Sequence, residues 1–169
     1  NWLHRPDGQR FGTPTPLTPS YCALSILFTD WNRSGHPSLR VSNDREYYKG
    51  GQEQMWHLEP GQPPKLYTEK DDGWKRLRIW GMGIASADVN LDGYPDYYLT
   101  SMADNKLQVL KDAATGKPDY ADIAFTSGID AALMHSSDKA MYFFKGGQSA
   151  KIVNGVPCLM SGNTPAVCP

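Results

Sequence analysis

The chain has 169 residues, enough for one ordinary domain with a sizeable core, and its 17 Lys and Arg against 18 Asp and Glu leave a net charge of −1. A balance so close to neutral gives no long-range field to draw it to nucleic acid or a membrane surface, and no apolar run approaches the roughly 18 residues of a spanning helix, so neither nucleic acid nor membrane insertion is expected. With 16 Gly, 13 Pro, five Trp, nine Tyr and five Phe, the composition suits an all-β chain of many short strands and turns.

In chain order, the first apolar stretch is Ala23-Leu24-Ser25-Ile26-Leu27-Phe28, preceded by Cys22, which reads as a buried core thiol rather than a nucleophile. It leads into Asp30-Trp31-Asn32-Arg33-Ser34-Gly35-His36-Pro37-Ser38, a run with oxygen donors at every second position before a glycine. Asn32-Arg33-Ser34 is also formally a glycosylation sequon, a role that would exclude Asn32 as a ligand. Further on, Lys70-Asp71-Asp72-Gly73-Trp74-Lys75-Arg76 reads as a solvated turn leading into a strand. Ile79 to Ser86 and Tyr97 to Thr100 are short, rich in β-formers or glycine, and lack helical periodicity.

Between those two stretches stands the most informative run, Asp88-Val89-Asn90-Leu91-Asp92-Gly93-Tyr94-Pro95-Asp96. Asp88, Asn90 and Asp92 present oxygens at positions one, three and five, Gly93 permits the sharp turn, Tyr94 offers its carbonyl, and Asp96 closes the set. Such hard oxygen donors suit calcium, which takes six to eight of them in flexible geometry. An EF-hand begins in the same way but needs a bidentate Glu at position twelve, where this chain has Leu99. The loop is therefore expected to join two strands.

The Asp30 run repeats the Asp88 run in degraded form, with Asp30, Asn32, Ser34 and Ser38 where that run has Asp88, Asn90, Asp92 and Asp96. Agreement extends beyond the loops: Ile26 matches Ile84, Leu39-Arg40-Val41-Ser42 matches Tyr97-Tyr98-Leu99-Thr100, and Gln54-Met55-Trp56-His57-Leu58 parallels Lys106-Leu107-Gln108-Val109-Leu110. Each unit reads as four short strands, one over about residues 20–70 and the next over about 76–126. Ser34 and Ser38 replace carboxylates in the first loop, which predicts weak calcium affinity there and firmer binding in the second.

On these residues the chain resembles the FG-GAP or VCBS repeat, within it the cartilage-acidic-protein-like group of secreted proteins, over about residues 1–130. The carriers are Gly81-x-Gly83-Ile84-Ala85-x-x-Asp88-x-Asn90-x-Asp92-Gly93-x-x-Asp96 and the opening Asn1 to Phe11, which looks like the strand that ends a preceding repeat. The resemblance implies blades of a β-propeller, each with a calcium loop between its first two strands, whose ligands would be Asp88, Asn90, Asp92, Tyr94 and Asp96 in one unit and Asp30, Asn32, Ser34, His36 by its carbonyl and Ser38 in the other. At roughly 40 to 60 residues per blade the chain cannot hold a closed seven-bladed ring, so an incomplete or open propeller is expected. The start at Asn1 suggests a processed or excerpted product, and exposed blade edges are candidate sites for protein partners or self-association.

From about residue 131 the repeat breaks, because no carboxylate series occurs near position 146 where the next loop would fall. Ile129 to Leu133 followed by Lys139 to Gln148 resembles a single hemopexin-type blade, whose Asp-Ala-Ala segment would begin at Asp130; the alternative is a β-hairpin before a divergent tail. In that tail, over 131–169, Cys158 and Cys168 are the preferred disulfide pair, a closure worth on the order of 2 to 3 kcal/mol, with two free thiols as the alternative.

His4, His36, His57 and His135 have no zinc-ligand spacing. Trp31, Trp56, Trp74 and Trp80, with Tyr47, Tyr48, Tyr97 and Tyr98, are read as packing between sheets in preference to a sugar-stacking surface. No nucleophile elbow, phosphate loop or Cys/His pair is present. The function expected is a non-catalytic, extracellular or cell-surface calcium-binding repeat module for adhesion or assembly; the alternatives are a subunit of an extracellular filament or surface layer, or a module that binds glycans.

Overall fold

A computed structural model describes residues 1–44, 53–125, 129–135, 137, 138, 140–145, 148–153, 156–161 and 164–167. Its strands form three successive antiparallel sheets preceded by two small ribbons. In the ribbons β1 (Trp2–Leu3) pairs with β4 (Thr15–Pro16), and β2 (Pro6–Asp7) with β3 (Arg10–Phe11). The opening segment thus pairs within itself, where the sequence suggested the last strand of a preceding repeat.

The first large sheet holds β5 (Cys22–Thr29), β6 (Ser38–Asp44), β7 (Gln54–His57) and β8 (Lys65–Leu66) in that order. The second holds β9 (Gly81–Ala87), β10 (Asp96–Ser101), β11 (Asn105–Leu110) and β12 (Tyr120–Phe125), again in chain order. The third, with five strands, runs β13 (Ala131–Met134), β14 (Met141–Lys145), β15 (Gln148–Val153), β16 (Val156–Ser161) and β17 (Thr164–Val167). Neither a lone hairpin nor a four-stranded unit, this C-terminal segment makes a meander of its own.

Register reproduces the sequence repeat. Thr29 faces Ser38 as Ala87 faces Asp96, and Ile26 faces Val41 as Ile84 faces Leu99. On the next strand Leu39 pairs with Trp56 and Tyr97 with Gln108. Because side chains alternate faces along a strand, the same register sends matching residues to matching sides of each sheet. Tyr97 and Leu99 join Trp31, Met55, Tyr67 and Trp74 in a core between the first and second sheets. Leu107 and Val109 join Phe143 and Ile152 between the second and third. Leu39, Val41 and Trp56 turn to the far side of the first sheet, where Leu3 and Leu17 of the N-terminal segment cover them. That cover stops short of β5, whose Leu24, Ile26 and Phe28 stay more than half exposed.

A polar seam runs through the first inter-sheet core. Arg40, fully buried, lays its guanidinium 4.2 Å from the ring centroid of Tyr97 and 5.0 Å from that of Trp74, and donates to Gln108 Oε1. Glu53 is also buried and accepts from Ser42 Oγ at 3.1 Å and Asn43 N at 3.0 Å. Burial pushes the Glu53 carboxyl up from 4.5 to about 7, against the lowering effects of Arg40 and of those hydrogen bonds. Gly81 is required beside this seam, since a Cβ there would overlap Ser42 Oγ and stand 2.6 Å from Glu53 Oε1.

Two local expectations are corrected. Residues 69–72 form a one-turn helix, α1 (Glu69–Asp72), and no strand follows until Gly81. Thr68 caps α1 by accepting from Asp71 N, Gly73 ends it at φ 74°, and Trp74 drops into the core at 2% exposure. Cys22 is half-buried rather than buried, since it opens β5 at the edge of its sheet, and it is a free thiol.

Candidate metal centre

The loop 88–95 leaves β9 and returns as β10, closed by the Ala87–Asp96 pair. Its side chains turn inward onto the loop's own amides. Asp88 accepts from Asp92 N at 3.0 Å through Oδ1 and from Gly93 N at 2.8 Å through Oδ2. Asn90 Oδ1 accepts from Asp92 N at 3.2 Å, and Asp92 Oδ1 from Tyr94 N at 2.8 Å. The turn needs left-handed backbone at two points, Leu91 (φ 60°) and Gly93 (φ 89°).

Asp96 lies beneath the loop, fully buried, with Oδ2 accepting from Val89 N at 3.0 Å and Oδ1 from Leu110 N at 3.1 Å. Burial raises its carboxyl from the ordinary 3.8 to about 6; the two amide bonds oppose the rise, and the nearby charges of Asp92 and Asp88 add to it. Asp88 and Asp92 thus both repel the ionised form of Asp96. Val89, the apolar residue at the second position, anchors the loop in the core shared with the third sheet.

The loop 30–37 is built bond for bond in the same way. Asp30 accepts from Ser34 N and Gly35 N, both at 2.8 Å, and Asn32 Oδ1 accepts from Ser34 N at 3.3 Å. Arg33 (φ 56°) and Gly35 (φ 81°) take the two left-handed positions, and Trp31 is the second-position anchor, buried between the first two sheets. The differences fall on the serines. Ser34 Oγ donates to the His36 carbonyl at 3.3 Å, and Ser38 Oγ bonds at 3.1 Å to Tyr67 OH, which also accepts from Trp31 Nε1 at 3.0 Å. All five expected donors are therefore engaged within the protein, and Asp30 is the one carboxylate among them.

Among the described residues no three or more His, Cys, Asp or Glu side chains are gathered as a metal cluster. The donor chemistry of the Asp88 loop nonetheless fits calcium: three carboxylates, one amide oxygen and the Tyr94 carbonyl, with no imidazole or thiolate. A carboxylate has about four acceptor sites, so amide bonds from the loop leave each Asp lone pairs to offer a cation.

Elsewhere, Asp138 in the turn between β13 and β14 accepts from Lys151 Nζ and Tyr142 OH, each at 2.8 Å, and the Lys151 bond chiefly holds its carboxyl well below the usual range. His57 Nε2 lies 2.9 Å from Asp72 Oδ1, and its ring stacks on Tyr67 at 3.5 Å. These two border a polar cavity of about 390 Å³ that also takes in Ser34, His36 and Lys117. Trp31, Trp56 and Trp74 are at most 3% exposed and serve as packing, whereas Trp80 is 36% exposed. Cys158 is disulfide-bonded, while Cys168, Tyr47 and Tyr48 lie outside the described residues. No described helix is long and apolar enough to cross a membrane. Comparison of the chain with protein-family models, curated proteins and solved structures returned no match.

Proposed function

We propose that the chain is a non-catalytic, calcium-stabilised extracellular repeat module of the FG-GAP/VCBS type, whose sheets act as propeller blades for adhesion or assembly. The observation that carries this reading is the pair of matched loops, each between the first two strands of a four-stranded sheet, with the second keeping three carboxylates, of which Asp88 and Asp92 repel Asp96. Calcium there is structural: it relieves that repulsion and locks the loop on which Val89 docks the next sheet. Assembly is the favoured role because Leu24, Ile26 and Phe28 offer an uncovered apolar face on the first sheet. A filament or surface-layer subunit is the second reading on the same observation. Glycan binding is less supported, since Trp56 and Trp74 are buried.

Thermal unfolding in calcium and in chelator tests the proposal. Calcium at about a hundred times its dissociation constant contributes about 2.7 kcal/mol, or about 5–10 °C in Tm for a chain of this size. Asp92→Ala removes the shift, whereas Asp30→Ala leaves it intact. No shift in the folded wild type, or equal loss in both variants, refutes the assignment.

A further inference from the structure

The two loops touch. Arg33, in the left-handed fourth position of the first loop, is fixed there by its own N–H to the Asp30 carbonyl at 3.1 Å and by the Asp30 carboxylate on the next two amides. From that position its guanidinium crosses to the second loop. The guanidinium carbon lies 5.6 Å from the ring centroid of Tyr94, and Nη1 stands 3.0 Å from where a Cβ on Gly93 would be. Gly93 and Tyr94 are the sixth and seventh positions of the Asp88 loop, the glycine turn and the carbonyl donor. At the equivalent place the second loop has Leu91, uncharged and 51% exposed.

We propose that Arg33 is a built-in cation that lowers and tunes the calcium affinity of the Asp88 loop, and that the carboxylate-poor first loop serves as the bracket that holds it. The inference rests on the calcium reading above. A fixed positive charge beside the loop offsets the repulsion among Asp88, Asp92 and Asp96 when no calcium is bound, and opposes the divalent ion when it enters. Both effects reduce the gain on binding. Arg33 is exposed, so its field acts through water-like surroundings and is screened by salt. Stacking on Tyr94 keeps the charge in place without neutralising it.

Isothermal titration with calcium chloride on the wild type, Arg33→Leu and Arg33→Lys, each at 0.01 M and 0.15 M ionic strength, tests this. For a unit charge about 10 Å from a divalent ion in a water-like medium, Arg33→Leu is expected to tighten binding about threefold at 0.01 M and about 1.5-fold at 0.15 M. Arg33→Lys, which keeps the charge, stays near the wild type at both. If the wild type binds calcium but Arg33→Leu binds no more tightly at 0.01 M, the proposal for Arg33 fails while the calcium site stands. If Arg33→Lys tightens binding as much as Arg33→Leu, charge is not the cause and the proposal is again overturned. If the wild type gives no calcium heat and no shift in Tm, the calcium reading fails and this proposal with it.

Discussion

Asp96 has two possible duties, holding the fold and holding calcium, and Asp96→Ala separates them. The substitution leaves the amides of Val89 and Leu110 without their shared acceptor inside the protein. At about 1–3 kcal/mol for each orphaned buried donor, the direct loss is about 2–6 kcal/mol. Against this stands the relief of removing a carboxylate whose ionised form is disfavoured. An elevation from 3.8 to about 6 converts to about 3 kcal/mol, which solvent reaching the loop screens to about 1–2 kcal/mol. The sign follows from the folded state holding the Asp96 proton more tightly than the unfolded chain. Its contribution is fully favourable below 3.8 and is lost as pH rises through about 6. In chelator, Asp96→Ala should therefore destabilise by about 3 kcal/mol at pH 5 and by about 1 kcal/mol less at pH 8. Urea unfolding at the two pH values reads both quantities. A loss under about 0.5 kcal/mol at pH 5, or a larger loss at pH 8 than at pH 5, would show that the carboxylate does not brace these amides as described.

Glu53→Gln should leave stability unchanged at pH 5 and raise it by about 2–3 kcal/mol at pH 8, because a carboxyl pushed up to about 7 from 4.5 stabilises the fold least once pH has risen through the higher value. The glutamine can still accept from Ser42 and Asn43; lower stability of the variant at pH 8, again by urea unfolding, would mean that the charge of Glu53 is needed by Arg40. Gly81→Ala should cost about 3 kcal/mol, since its Cβ meets Ser42 Oγ, Glu53 Oε1 and, at 3.0 Å, the Asn43 carbonyl, and that backbone oxygen cannot step aside. A fall in Tm of about 6–12 °C is expected for a chain of this size, and a fall of under about 2 °C would show that the seam yields.

The loops were legible as turns between strands because their pattern is local: alternate polar residues before a glycine mark a tight turn, and the β-forming stretches on either side fix the register. That is why Ala87–Asp96 and Thr29–Ser38 pair as the repeat implies. Trp31 and Val89 carried a readable signal too, each an apolar residue at the second position of a polar loop, and each anchors its loop on the following sheet. What the sequence hid was set by neighbours distant along the chain. Charged residues are seldom fully buried, and nothing along the chain marks Arg40 and Glu53 as exceptions; in the fold Arg40 is enclosed by Tyr97, Trp74 and Gln108, and Glu53 is bonded to Ser42 and Asn43. The turn at Lys70 to Arg76 became α1 because Thr68 and Gly73 cap it, a pairing that an acidic, lysine-bearing stretch obscures. Arg33 was the least visible of all, an arginine between two of the alternating polar positions of its loop. Its place comes from a left-handed backbone beside the adjacent loop, where its guanidinium carbon lies 5.6 Å from the Tyr94 ring centroid. Ser34 and Ser38 bond within the protein, to the His36 carbonyl and the Tyr67 hydroxyl, so the loop that carries Arg33 is held by its own contacts.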